Sequence, residues 1–193
     1  MSMRRALALL AIVMAGPALA ANTSMANSNI ETPHLGKPVI PSDVARWDIE
    51  VLADGTGLPP GEGTAAQGAP IFVAKCAACH GDGGRGTDLA RNGKPAPPIL
   101  VSDLKLKGID ASHATIANYW PYAPPLFDYI RRAMPWNEPR SLSDHEVYAL
   151  TAYILAEGKV IDAKLVINAK TLPKVMMPNR NGFAPRFPEL MPR

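Results

Sequence analysis

The sequence predicts an all-α fold, a small helical domain carried between two extended, proline-rich arms. Two observations predict it. Apolar residues at helical spacing, bounded by capping residues, recur through the middle of the chain, and no run alternates as a half-buried strand does. On either side, prolines punctuate stretches without sustained periodicity. The helical domain is expected over residues 64–160, the leader arm over 21–63 and the C-terminal arm over 161–193.

The first 20 residues read as an export signal. Arg4 and Arg5 form a positive start, Ala6 to Ala15 an apolar run, and Ala18-Leu19-Ala20 a small-x-small cleavage pattern. Gly16 and Pro17 break the run below the ~20 residues a bilayer span needs. Cleavage after Ala20 and a periplasmic address are therefore expected, without stable membrane insertion. Without Arg4 and Arg5, 18 basic residues stand against 17 acidic ones, a balance that supports neither nucleic-acid binding nor a polybasic membrane patch.

In the leader, Ser42 to Trp47 predicts one short helical turn capped by Ser42 or Asp43. The first domain helix approaches the cysteines through Ile71, Phe72 and Lys75. Pro70 inside it removes a hydrogen bond, so this helix is expected to start near Gly68 or to kink. A second helix is expected from Pro125, favourable at a first helical position, to Ala133, with Phe127 and Ile130 inward. Arg131 and Arg132 complement its C-terminal end. The last helix opens on Ser143-Asp144-His145-Glu146, a capping box, with Leu142 and Val147 as its hydrophobic staple. Val147, Leu150 and Ile154 keep helical spacing up to a stop at Gly158.

The two cysteines of the chain stand in Cys76-Ala77-Ala78-Cys79-His80. CxxCH is a haem-attachment motif. Two thiols at this spacing reach the two vinyl groups of one porphyrin, and the next histidine falls under the iron. A zinc site would need further ligands that no other cysteine supplies. A thioredoxin-like pair would need a βαβ context, which is missing. One covalent haem c is expected, bound by Cys76 and Cys79 with His80 as axial ligand.

For the sixth ligand, Met134 lies 54 residues after His80, just past an amphipathic helix and before Pro135. His113, Met176 and Met177 are the rivals; His34 and His145 read as surface residues. A histidine–thioether pair closes both axial positions and raises the reduction potential, a setting for electron transfer rather than oxygen activation. Ala96-Pro97-Pro98-Ile99-Leu100 offers a stiff loop whose Pro97 or Pro98 carbonyl can accept the second N–H of His80. Tyr119, Trp120, Tyr122, Phe127 and Trp136 are expected to wall the methionine side.

These residues resemble a class I cytochrome c. The resemblance is carried by Gly68-x-x-x-Phe72-x-x-x-Cys76-x-x-Cys79-His80, the proline loop, Met134-Pro135 and the last helix with Tyr153. It implies a crossing of first and last helices at Gly68, Phe72, Leu150 and Tyr153. A longer resemblance covers Trp47 to Val51, Asp54 to Gly61, Asn118 to Pro135, Leu172 to Lys174 and Met177 to Arg180. These runs are similar to cytochrome subunits of sulfur-oxidising bacteria. It implies a non-catalytic electron-transfer subunit, accepting electrons from a molybdenum-cofactor sulfite or sulfur dehydrogenase and passing them to a downstream cytochrome or oxidase. The alternatives are a free-standing carrier between another dehydrogenase and an oxidase, and a haem enzyme such as a peroxidase or thiosulfate dehydrogenase.

Overall fold

The computed structural model describes residues 36–45, 47–106 and 113–184, with the backbone alone at 90 and 91. The export signal, His34, Met25 and Met191 lie outside these residues. Contacts divide the chain into Met1–Val39 and Ile40–Arg193; the fold and the site belong to the second unit.

The frame is a crossing of two helices, α2 (Ala65–Lys75) and α7 (Asp144–Glu157). A Cβ at Gly68 would collide with the carbonyl oxygen of Ala149 and lie 2.8 Å from Tyr153 Cβ, so only glycine lets the axes approach this closely. Beside it the Phe72 and Tyr153 rings pack 5.0 Å apart. The crossing implied by the resemblance is therefore present, with Ala149 as the backbone that Gly68 touches.

The capping box of α7 stands as the sequence predicts. Ser143 Oγ accepts from the Glu146 N–H at 3.3 Å, and the Glu146 carboxylate accepts from the Ser143 N–H at 2.8 Å. For α2 the expected start is corrected. The helix begins at Ala65, because Thr64 and Gln67 form a second capping box, and Pro70 lies inside the helix. Pro70 removes one hydrogen bond, whereas the cap and the packing of Phe72 favour the longer helix.

The remaining helices are α1 (Pro41–Ala45), α3 (Ala77–His80), α4 (Asp88–Arg91), α5 (Ile116–Tyr119) and α6 (Pro124–Ala133). The short α1 matches the expected turn, but it starts at Pro41, which places Ser42 and Asp43 inside it rather than at its cap. In α6, Leu126, Phe127, Asp128 and Ile130 are buried. Its arginines do more than complement the helix end. Arg131 donates to Asp144 Oδ1 at 2.9 Å, Arg132 pairs with Asp128, and Asp128 also accepts from the Val51 N–H at 3.1 Å.

The proline-rich segments are low in regular structure, yet Val51 and Leu58 in the leader and Ile167, Leu172, Val175 and Met177 in the tail pack on the core. Two short strands, β1 (Glu62–Gly63) and β2 (Ile167–Asn168), pair antiparallel and join leader to tail. No strand was expected, and two-residue strands are too short to show a period of two. Val51, Ile167, Leu172, Val175 and Met177 are all buried. Tyr148 reaches out of α7 to donate to the Pro59 carbonyl at 2.8 Å.

Candidate functional site

Cys76, Cys79 and His80 occupy a single helical turn. The Cys76 carbonyl accepts from the Cys79 N–H at 3.1 Å and from the His80 N–H at 2.9 Å. Residues three and four apart share a helix face, so both thiols and the imidazole address one side. Gly81 ends the turn at φ 75°, where a Cβ would strike the Gly86 backbone. The glycine loop folds back tightly enough for the Gly84 carbonyl to accept from the Leu100 and Val101 N–H groups, at 2.8 and 3.1 Å. Those bonds bring the proline loop beside His80.

There the Pro98 carbonyl lies 2.9 Å from His80 Nδ1. A carbonyl only accepts, so Nδ1 is the donor in this contact, which leaves Nε2 as the nitrogen placed for a metal. Of the two acceptors the sequence offered, Pro98 is the one in place. This hydrogen bond fixes both ring orientation and tautomer, as a metal-binding histidine requires.

One cavity of about 460 Å³ is lined by Cys76, Cys79, His80 and Met134 together. That is within the range of small-ligand and cofactor sites. Phe72, Pro97, Leu126, Ile130 and Leu150 supply apolar wall, with Asn137 and Lys75 among the polar lining. Met134 caps α6, its N–H donating to the Ile130 carbonyl at 3.0 Å, and the Met134–Pro135 peptide is cis. Neither His113, Met176 nor Met177 lines this cavity. His113 and Met176 are exposed, and Met177 is buried in the core. His145, expected at the surface, is exposed and meets the Glu62 backbone.

The aromatic wall differs from expectation. Trp136 lines the cavity, but Tyr119, Trp120, Tyr122 and Phe127 do not; Tyr129 does. Phe127 turns inward against Tyr148, with ring centroids 4.4 Å apart. Tyr129, two residues on, faces the cavity and meets Trp120 edge-on at 6.2 Å. A better reading of the α6 helical phase, with Ile130 and Met134 four apart, is the signal that brings Tyr129 in.

The donor set fits haem c: two thiols and an imidazole with a free Nε2 on one turn, and a thioether lining the same apolar cavity. The thiols do not suit a redox pair. Burial pushes Cys76 up to about 11, Lys75 opposing the rise and Cys79 adding to it, whereas redox-active CxxC pairs work through a depressed thiol.

Residues 63–154 match the family model described as cytochrome c oxidase, cbb3-type, subunit III. The chain also superposes on a chain of the sulfane dehydrogenase SoxCD crystal structure from Paracoccus pantotrophus. The TM-score is 0.69 at 32% identity, covering 82% of this chain and 75% of that one. The chain belongs to the c-type cytochromes. Its cofactor is haem c, and it resembles the cytochrome subunits of Sox-type dehydrogenases.

Among other relatives, the cytochrome is 29% identical over 108 residues to a thiosulfate dehydrogenase of Stutzerimonas stutzeri. It is 45% identical over 56 residues to FixP, a cbb3-type cytochrome c oxidase subunit of Bradyrhizobium diazoefficiens. Those matches cover 56% and 28% of this chain but only 32% and 18% of the relatives' own lengths. No helix among the described residues is long and apolar enough to cross a membrane.

Proposed function

We propose that this cytochrome is the electron-transfer subunit of a periplasmic, molybdenum-cofactor sulfite or sulfur dehydrogenase. The observation that carries the reading is the shared cavity, into which one turn brings Cys76, Cys79 and His80 and the end of α6 brings Met134. The likeness to a SoxCD chain over most of both lengths supports the choice of partner.

Cys76 and Cys79 would hold the porphyrin edge through thioether bonds, and His80 Nε2 and the Met134 sulfur would be the two protein ligands to the iron. Bound there, the haem supplies a one-electron couple. The protein sets its conditions. Pro98 keeps the Nδ1 proton on His80, and the apolar wall from Phe72 to Ile130 excludes water and holds the potential up. With the iron held by both residues, the subunit would carry electrons, leave sulfur oxidation to its partner and pass each electron to a downstream cytochrome or oxidase. In this reading residues 1–20 are removed at export, 64–160 form the haem domain, and the segments 21–63 and 161–193 flank it.

Size-exclusion of native periplasm tests the partnership. Haem absorbance is expected to elute with molybdenum, ahead of the monomer position, and sulfite or a sulfane-sulfur donor is expected to reduce the haem in that fraction. Haem at the monomer position without molybdenum identifies a free-standing carrier instead.

A further inference from the structure

The segment Met177-Pro178-Asn179-Arg180 takes no part in the cavity, yet it is tied to the chain leading into it. Asn179 Nδ2 donates to the Tyr119 carbonyl at 2.7 Å, and the Arg180 guanidinium lies 4.4 Å from the centre of the Tyr122 ring. Phe183 meets Tyr119 edge-on at 5.3 Å. The clasp is anchored from behind by Met177 and Val175, both buried. It is also shaped for Asn179. The Gly182 N–H donates to the Asn179 carbonyl at 3.0 Å, and a Cβ at Gly182 would overlap the Asn179 side-chain amide.

Residues 119–122 are the link between two walls of the cavity. Before them α5 carries Ile116, and after them α6 carries Leu126, Tyr129, Ile130 and Met134, all lining residues. Trp120, within the link, packs against Tyr129. On its other side α5 is tied by the Ala117 N–H to the Leu100 carbonyl at 3.4 Å. Among the described residues, 120–122 make no backbone hydrogen bond to the haem-attachment side, and the tail supplies a restraint there through Asn179 and Arg180.

We propose that Asn179 and Arg180 are positioning residues for the methionine side of the haem site, acting through Tyr119 and Tyr122. This rests on the reading that Met134 ligates the iron. The tail thereby serves the chain's own cavity. Releasing it lets α6 move and raises the population of states in which Met134 is off the iron, which an outside ligand captures.

Imidazole titration of the ferric holoprotein tests this, alongside its thermal midpoint. Asn179→Ala and Arg180→Ala are each expected to bind imidazole three- to tenfold more tightly than wild type, the scale of one lost interaction. Arg180→Lys, which keeps a cation over Tyr122, is expected to restore most of the wild-type value. Thr171→Ala is the control. Thr171 bonds Val166 and Asn168 in the same tail, so this variant is expected to lower the midpoint without changing imidazole affinity. Wild-type affinity in both clasp variants, or an equal rise in the control, overturns the proposal. A wild-type protein lacking the long-wavelength absorption band of thioether-ligated ferric haem overturns the Met134 ligation and the clasp together. A wild type with that band but unresponsive variants overturns the clasp alone.

Discussion

The imidazole of His80 donates through Nδ1 to the Pro98 carbonyl at 2.9 Å, and the Gly84 carbonyl, accepting from Leu100 and Val101, holds the proline loop beside it. With His80 as the proposed iron ligand, this hydrogen bond would make the ring a stronger electron donor through Nε2 and stabilise oxidised iron. Pro98→Gly, which removes the stiffness of the loop, is expected to weaken the bond and raise the reduction potential. A net hydrogen bond of about 1 kcal/mol corresponds to roughly 40 mV for one electron. Redox titration checks it, and an unchanged or lowered potential counts against the arrangement.

The proposed ligation by Met134 decides what the iron can do. Met134→Ala is expected to open one axial position, so that the ferrous protein binds carbon monoxide rapidly. The potential is expected to fall, on the order of 100 mV or more, since axial ligands account for much of the range of haem potentials. Met176→Leu, altering an exposed methionine outside the cavity, is expected to do neither. A carbon monoxide response in wild type equal to that of Met134→Ala is the contrary result.

The α2–α7 crossing has no spare room at Gly68. Gly68→Ala places a methyl against the Ala149 carbonyl oxygen, backbone that cannot step aside cheaply. The expected loss is about 1–3 kcal/mol, seen as a thermal midpoint lower by roughly 2–12 °C in a chain of this size. Stability equal to wild type would falsify the close approach.

At the start of α7 the Glu146 carboxyl is held below the usual carboxylate range. The Ser143 N–H is the main cause, burial opposes it, and the Ser143 hydroxyl and Lys75 add smaller contributions. A group depressed in the folded state stabilises the fold above its unfolded value and loses that contribution as pH falls through its folded value. Acid titration of wild type against Glu146→Gln is therefore expected to show a smaller stability loss in the variant below the ordinary glutamate range. Ser143→Ala is expected to cost about 1 kcal/mol at neutral pH. Identical acid profiles in wild type and Glu146→Gln contradict the pairing.

What the sequence makes legible here is chemistry carried by neighbours in the chain. CxxCH and the Ser143–Glu146 box are local patterns with local causes, whereas the Pro98 carbonyl, 18 residues from His80, was legible only as a stiff loop. The start of α2 was equally local, since Thr64-x-x-Gln67 is a capping box, but Pro70 outweighed it. The packing of leader and tail was not legible. Val51, Ile167 and Leu172 are single apolar residues in stretches without a period, and their burial depends on α7. That helix is buried on nearly all sides, including Val147, Tyr148, Ala149, Leu150, Thr151 and Ala152, so it offers surface to leader, tail and α2 alike. The aromatic wall failed for a related reason. Closeness in sequence to Met134 selected Phe127, whereas helical phase turns Phe127 inward and leaves Tyr129 at the cavity.

Asp128 shows how the leader bears on the site. Its buried carboxylate receives the Val51 N–H and pairs with Arg132 on the helix that ends in Met134. Asp128→Ala leaves that N–H without its partner and is expected to cost about 2 kcal/mol, with Arg132 returning to water. Denaturant unfolding followed by haem absorbance measures it; a loss near zero removes the leader from the support of α6.

Intact-mass spectrometry of the exported protein, after acidified-acetone extraction and with thiol alkylation, tests the central claim most directly. The account predicts a chain heavier by one haem, still coloured, with Cys76 and Cys79 closed to the reagent. A colourless chain with both thiols alkylated contradicts it.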